Sequence, residues 1–264
     1  MEKSFLSTIS RLIGGGKSST GQAAKQAPGA TFASQTDAPS KVAYLSAMRI
    51  FRDLSPEEMK MIDASTVMTT APKGKIIYMP DETGEVLFLL KKGSVHLYRL
   101  SSEGRKLIVQ TVGPMTFFGE MAIVGQNMYD LFAEAAEDCT ICVMGRADVE
   151  RLLLMKPQVA LRMLEEISQR MHDAQARLGD STFKGIPARV ASLLLSLSNN
   201  GTHPITDIRH QDIADMMGVY RETVSNALGS LRDEGIIDTN RKEIVILNLE
   251  KLRAAAKEEI LRKR

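Results

Sequence analysis

The side chains best suited to chemistry lie between Gln211 and Gly235, in a segment that predicts two short helices joined by a turn. The helices are predicted at 211–217 and 221–234, with Gly218 and Val219 between them. Glycine permits the positive φ that a tight turn between helices requires, and Ala214 is small where the helices must cross. The shared core of this helix pair is predicted to consist of Ile213, Met217, Val219, Val224, Leu228 and Leu231.

The outer face of the second predicted helix carries Arg221, Glu222, Ser225 and Asn226. Arginine can donate two hydrogen bonds to guanine, glutamate can accept one from cytosine, and asparagine can pair with adenine. Because a helix of this kind fits the major groove of DNA, these four residues are candidates for base contacts. The alternative is an ordinary helical pair with a solvated polar face. Two β-branched runs within 236–247, which predict a β-wing, favour the DNA-binding interpretation.

The charge of this C-terminal region is nearly balanced. From Phe183 to the end there are 13 Lys and Arg residues against 11 Asp and Glu residues, and the whole chain has a net charge of +2. Such a balance excludes a general polyanion binder, so phosphates must be held by a few placed groups. The candidates for contact with DNA phosphates are Arg209, His210, Tyr220, Thr223, Arg232, Arg241 and Lys242.

A long helix with Pro157 in its first turn is predicted before this region, as part of a dimerisation segment at 151–180. Its apolar residues follow spacings of four and three, the pattern of a coiled-coil seam with charged flanks. The pattern favours a homodimer, and a helix packed on its own domain is the alternative. We expect the helix to end at Gly179-Asp180. The predicted seam consists of Ala160, Leu164, Ile167, Met171, Ala174 and Leu178.

Residues 41–150 predict a jelly-roll-like β-domain, since short apolar runs at 75–78, 86–90, 94–100 and 106–112 are separated by glycine turns about every ten residues. A helix at 56–64, capped by Ser55, is predicted to precede the strands. The predicted fold class is therefore α+β: this β-domain, the long helix, and a winged helix-turn-helix domain at 181–264.

The first 40 residues are rich in Gly, Ser, Ala, Gln and Thr, a composition that predicts disorder. Within them, Phe5, Ile9, Leu12 and Ile13 fall on one helical face. This face indicates either a frayed end or a short docking helix for a partner.

Other features argue against several classes of protein. Cys139 and Cys142 lie in a predicted strand, where residues three apart point to opposite faces, and an iron–sulfur cluster needs about four cysteine ligands. His96 is expected at the surface, with a haem ligand as the alternative. We find no metal, cofactor or catalytic motif, no apolar run of membrane-spanning length and no signal peptide. The prediction is a cytoplasmic protein that is not an enzyme.

Three features together resemble the Crp/Fnr family over residues 41–250: Gly119-Glu120-Met-Ala within the β-domain, the long helix, and Arg221-Glu-Thr-Val-Ser. The resemblance implies a cyclic-nucleotide-binding-like β-roll, a dimerising helix and a winged helix-turn-helix. It also implies double-stranded, two-fold symmetric promoter DNA and RNA polymerase as partners. Asn226 stands where the family usually has a third base-reading arginine, so the half-site preference is expected to differ. Arg209 replaces the usual capping threonine of the first helix.

The effector pocket implied by the resemblance comprises Gly119, Glu120, Met121, Ala122, Tyr129 and Asp130. Tyr129-Asp130 replaces the Arg-Ser pair that holds a cyclic phosphate in the family, and there is no lysine or arginine between Lys106 and Arg146. A phosphate in this pocket would lack a charged partner, so the sequence predicts that a cyclic mononucleotide does not control the protein. The alternatives are an altered pocket that still responds to a cyclic nucleotide, another small-molecule effector, control by interaction, activity without ligand, or a signalling module with a weakened DNA-binding domain.

Overall fold

The computed structural model describes residues 41–80, 87–119, 131–240 and 243–258. Its helices are α1 (Lys41–Ala47), α2 (Pro56–Ala64), α3 (Arg146–Met155), α4 (Pro157–Phe183), α5 (Ile186–Leu197), α6 (His210–Met217), α7 (Arg221–Asp233) and α8 (Leu249–Ala256), with a 3-10 turn at Arg49–Phe51. Its strands are β1 (Thr66–Ala71), β2 (Ile76–Tyr78), β3 (Leu87–Lys92), β4 (Val95–Leu100), β5 (Lys106–Val112), β6 (Thr116–Phe118), β7 (Phe132–Ala135), β8 (Cys139–Met144), β9 (Ile205–Thr206), β10 (Ile237–Thr239) and β11 (Glu243–Ile246).

The β-domain consists of two four-stranded antiparallel sheets, in the orders β1-β8-β3-β6 and β2-β7-β4-β5. The predicted α+β class with a jelly-roll-like domain is confirmed. Strand β3 is buried on both faces, which explains its continuous apolar run. Phe88 and Leu90 contribute to the core between the sheets, whereas Leu87 and Leu89 pack with the helices on the other side.

The two cysteines are buried on opposite faces of the first sheet, as the period of a strand requires. Cys139 belongs to the core between the sheets, and Cys142 belongs to the core on the helix side. Both are free thiols, and burial raises the pKa of each. They fill the core rather than form a reactive pair.

Helix α2 begins as the sequence predicts. The backbone N–H of Glu58 donates to Ser55 Oγ at 3.3 Å, and the backbone N–H of Ser55 donates to Glu58 Oε2 at 2.7 Å. These bonds form a capping box that satisfies two backbone donors of the first turn. The carboxylate of Glu58 also pairs with Lys156, just before α4.

Helix α4 begins at Pro157 as predicted, but it ends at Phe183 rather than at Gly179-Asp180. A glycine C-cap requires a positive φ, and Gly179 does not have one. The helix therefore continues through Gly179. Beyond Gly179, an ion pair of 2.8 Å between Lys184 Nζ and the carboxylate of Asp180 spans the helix end.

The C-terminal domain packs α5 to α8 against a small sheet in the order β10-β11-β9. The predicted wing corresponds to β10 and β11, while β9 pairs through only two residues, Ile205 and Thr206. A strand that short has no alternation from which it could be predicted. Strands β1, β6 and β7 and helices α1, α3 and α8 were also missed.

Candidate DNA-binding site

The turn between α6 and α7 has the geometry that the sequence predicts. Gly218 adopts a left-handed conformation with φ +65°, and the N–H of Val219 donates to the carbonyl of Ala214 at 3.1 Å. Ala214 is fully buried where the helices cross. This turn fixes the direction in which α7 leaves the domain.

Helix α7 has one buried face and one exposed face. Its buried face joins the domain core through Val224, Ala227, Leu228 and Leu231. Arg221, Glu222 and Asn226 are exposed on the other side, within the first two turns. The structure therefore brings three of the four candidate base-contacting residues together on one surface. Their contact with DNA bases stays a prediction.

Ser225, the fourth candidate, is only half-buried and has a partner inside the protein. Its Oγ lies 2.8 Å from Nδ1 of His210, the first residue of α6. This bond crosses from one helix of the motif to the other. The hydroxyl is therefore engaged within the helix pair, unlike the exposed side chains of Arg221 and Asn226.

Arg209 stands immediately before α6 and remains largely exposed, although its guanidinium pairs with Asp212 at 2.8 Å. It does not cap the helix; instead, the backbone N–H of Arg209 donates to the Asp212 carboxylate at 2.8 Å. Burial alone would raise the pKa of Asp212, but these bonds and the charge of Arg209 outweigh it and leave that pKa below its ordinary value. Asp212 thus serves the helix end that lacks the usual threonine.

The other phosphate candidates differ in surroundings. Arg232 is exposed at the C-terminal end of α7, beside Asp233, and Thr223 is half-buried in the first turn. Arg241 and Lys242 lie outside the described residues, between β10 and β11. Each of these assignments stays a prediction.

Tyr220, directly before α7, contacts the β-domain. Its hydroxyl donates to Glu103 Oε2 at 3.3 Å, and the guanidinium of Arg105 lies 4.8 Å from the centre of its ring. A Cβ placed on Gly218 would come within 2.9 Å of Leu107, on the adjoining strand β5. We call this set the hairpin contact: Glu103, Arg105 and Leu107 of the β4–β5 hairpin with Gly218 and Tyr220. No pattern in the sequence indicated it.

His96 on β4 lies close to the same interface and is half-buried rather than at the free surface that we expected. Burial lowers the pKa of His96, and the positive charge of Lys106 lowers it further. The carboxylates of Glu134, Asp212 and Asp215 act in the opposite direction without reversing the shift. The surface position expected for His96 was wrong because the sequence of a single strand does not indicate which other domain packs against it.

The long helix is bonded to the strand that leads into the implied effector pocket. Arg170 donates to the carbonyl of Phe117 at 2.7 Å and to Thr116 Oγ1 at 3.0 Å, and its guanidinium lies over the Phe117 ring. Gly119, which follows β6, is buried with φ +86°. The remaining pocket residues, Glu120, Met121, Ala122, Tyr129 and Asp130, lie outside the described residues.

Comparison with known proteins gives this arrangement a family. A cyclic nucleotide-binding domain model matches residues 68–155, and a Crp-like helix-turn-helix domain model matches residues 188–255. The cyclic AMP receptor protein of Thermus thermophilus is 31% identical over 188 residues, which are 71% of this chain and 87% of that protein. The chain belongs to the Crp/Fnr family of transcription regulators.

Two further members of the Crp/Fnr family are similar to this chain over most of their own length. The CRP-like cAMP-activated global transcriptional regulator of Mycobacterium tuberculosis is 25% identical over 79% of this chain and 96% of its own length. A crystal structure of a CRP/FNR family transcriptional regulator from Thermus thermophilus superposes with a TM-score of 0.63 at 26% identity. It covers 74% of this chain and all of that one. The chain is thus a Crp/Fnr transcription regulator with a helix-turn-helix for DNA.

In the described part of this Crp/Fnr regulator, no helix is both long and apolar enough to cross a membrane. Within the same residues, no three His, Cys, Asp or Glu side chains converge as a metal site would require.

Proposed function

We propose that this Crp/Fnr regulator acts as a homodimer on two-fold symmetric promoter sites, with α7 in the major groove. The main support for the dimer is the exposed apolar surface of α4. Residues 171–178 are exposed on every side of the helix, and the predicted seam leaves Leu164 59%, Met171 59% and Leu178 68% exposed. An apolar row of this length is unfavourable in water unless a second copy covers it.

The first part of α4 packs differently, which favours a seam rather than a helix that packs wholly on its own domain. Val159 and Met163 are buried in the β-domain core, and Arg162 pairs with Asp53. The helix is therefore fixed at one end and free at the other. Facing copies of the free half would form a parallel pair and hold two α7 helices on the same side of the dimer.

A selection from random double-stranded DNA tests this proposal. We expect the enriched sequences to be inverted repeats whose half-sites are about one helical turn, roughly 10 base pairs, apart. The reason is that a two-fold axis through the α4 pair relates the two α7 helices. Enrichment of single half-sites, or of direct repeats, would contradict the dimer geometry.

For the effector, we infer that a cyclic mononucleotide does not control this regulator through the usual phosphate contacts. One named relative is a cyclic AMP receptor protein and another is a cAMP-activated regulator, so the fold admits such a ligand. Here, however, Tyr129-Asp130 stands in place of Arg-Ser, and no cation lies between Lys106 and Arg146 in sequence. Lys106 itself pairs with Glu134 at 2.8 Å and lies over the Tyr98 ring. The side chains at positions 129 and 130 and the paired Lys106 therefore do not supply the charged partner that a cyclic phosphate needs.

Titration calorimetry with cyclic AMP and cyclic GMP checks this inference. We expect no micromolar binding by the natural protein, because a phosphate would meet acidic rather than basic side chains. A double variant, Tyr129→Arg with Asp130→Ser, restores the missing pair and serves as the matched gain-of-function control. Micromolar binding by the natural protein would overturn the inference and favour an altered but responsive pocket.

The contacts described support a path of control from the β-domain to the DNA-binding motif. We propose that the state of the β-domain reaches α4 through Arg170, and reaches α7 through both the α4–α5 junction at Lys184 and the hairpin contact.

The named relatives are regulators, and we propose for this chain too a regulatory rather than catalytic role in the cytoplasm. Family membership supports RNA polymerase as a partner at the promoter. A weakened DNA-binding domain is the second candidate, favoured by Asn226 and by the balanced charge of residues 183–264.

A further inference from the structure

A polar bond joins the two helices of the DNA-binding motif at their edge. His210 Nδ1 and Ser225 Oγ lie 2.8 Å apart, and both side chains are partly buried. Ser225 stands one turn after Arg221, so the bond is fixed close to the exposed reading surface of α7. The hydrophobic core holds the helices together on the other side, through residues such as Ile213 and Val224.

The chemistry of this pair assigns different roles to its two members. In a neutral imidazole, one ring nitrogen accepts a hydrogen bond and the other donates one. When the Ser225 hydroxyl donates to Nδ1, the proton of the ring is fixed on Nε2, on the far side of the ring. His210 is the first residue of α6, beside the exposed Arg209, where helix N–H groups favour an anion.

We propose that Ser225 is a positioning residue that orients His210, and that His210 uses Nε2–H to hold a phosphate oxygen of the DNA. Ser225 then does not read a base; Arg221, Glu222 and Asn226 do. The inference rests on the proposed placement of α7 in the major groove. It explains why Ser225 is bonded towards α6 while Arg221, Glu222 and Asn226 are exposed.

The test measures binding of selected duplex DNA by the full chain, with four variants. His210→Ala is expected to weaken binding about tenfold on every sequence, because each dimer loses two phosphate contacts. Ser225→Ala is expected to weaken binding by about threefold to fivefold without changing base preference, since the contact is left misaligned rather than absent. Ser225→Thr keeps the hydroxyl and is expected to restore wild-type affinity. In the double variant, Ser225→Ala should add nothing to His210→Ala.

A duplex carrying neutral methylphosphonates at single positions locates the contact. One position should weaken the wild type and leave His210→Ala unaffected. Additive effects of the two alanine substitutions, or a changed base preference for Ser225→Ala at one half-site position, would overturn the proposal. Arg221→Ala in the same assay separates the placement of α7 from the role of His210. If Arg221→Ala also binds DNA normally, the placement of α7 in the major groove is wrong. If Arg221→Ala loses binding while His210→Ala binds normally, only the role of His210 is rejected. Unchanged thermal unfolding of each variant confirms that the fold is intact.

Discussion

Arg221→Ala is expected to reduce affinity for the selected site by about a hundredfold or more, while binding to unrelated DNA changes little. A bidentate contact to guanine discriminates by about 1–3 kcal/mol, and a two-fold site loses two of them. Arg221 is exposed in the first turn of α7 and contributes nothing to the buried core of the domain. The loss should therefore concern recognition and leave folding unchanged. Fluorescence anisotropy with matched and mismatched duplexes measures the difference.

Two companion variants define what this loss means. Glu222→Ala removes the neighbouring acceptor and is expected to relax the preference for the base pair that it contacts. Arg232→Ala is the matched control, because Arg232 is an exposed arginine at the opposite end of the same helix. It should weaken binding by a few fold on all sequences and lower the salt dependence. If Arg221→Ala and Glu222→Ala both bind as the wild type does, α7 is not the recognition helix and the weakened-domain alternative gains support.

Met171→Glu is expected to dissociate the dimer, raising its dissociation constant by about a thousandfold or more. Met171 is 59% exposed in the single chain and lies in the predicted seam. In the proposed dimer, the two introduced carboxylates would face each other across the two-fold axis. Burying an unpaired charge costs several kcal/mol per ion. Sedimentation equilibrium measures the mass directly, and affinity for the selected inverted repeat should fall to that of a single half-site.

His172→Glu provides the matched control for this variant. His172 is exposed next to Met171 but on the charged flank of the predicted seam, so the new carboxylate remains in water. This variant should stay dimeric and retain its affinity for DNA. A dimeric Met171→Glu protein, or a monomeric His172→Glu protein, would place the contact between copies on another face of α4.

The sequence predicted best those features that have a strong period or a specific local bond. The capping box at Ser55, the left-handed Gly218 and the two helices of the DNA-binding motif each follow from a few adjacent residues. The apolar strands β2 to β5 were recognised for the same reason. Strands β6 and β9 were missed because three and two residues show no period.

Other features could not be predicted because they depend on contacts between residues far apart in the chain. Tyr220 and Glu103 are 117 residues apart, and His96 is half-buried through packing that β4 alone does not indicate. The bond between His210 and Ser225 turned a candidate base reader towards a neighbouring helix. The end of α4 was placed too early because a glycine stops a helix only when it adopts positive φ.

The bond between Arg170 and the carbonyl of Phe117 has a consequence for finding the signal. It joins the helix of the proposed dimer to the strand that runs into the implied pocket, so we expect occupancy of that pocket to be coupled to binding of DNA. Reciprocity then requires any small molecule that tightens DNA binding to be bound more tightly, by the same factor, when DNA is present. Compound libraries screened against the protein–DNA complex should therefore reveal an activating ligand that free protein binds too weakly to retain.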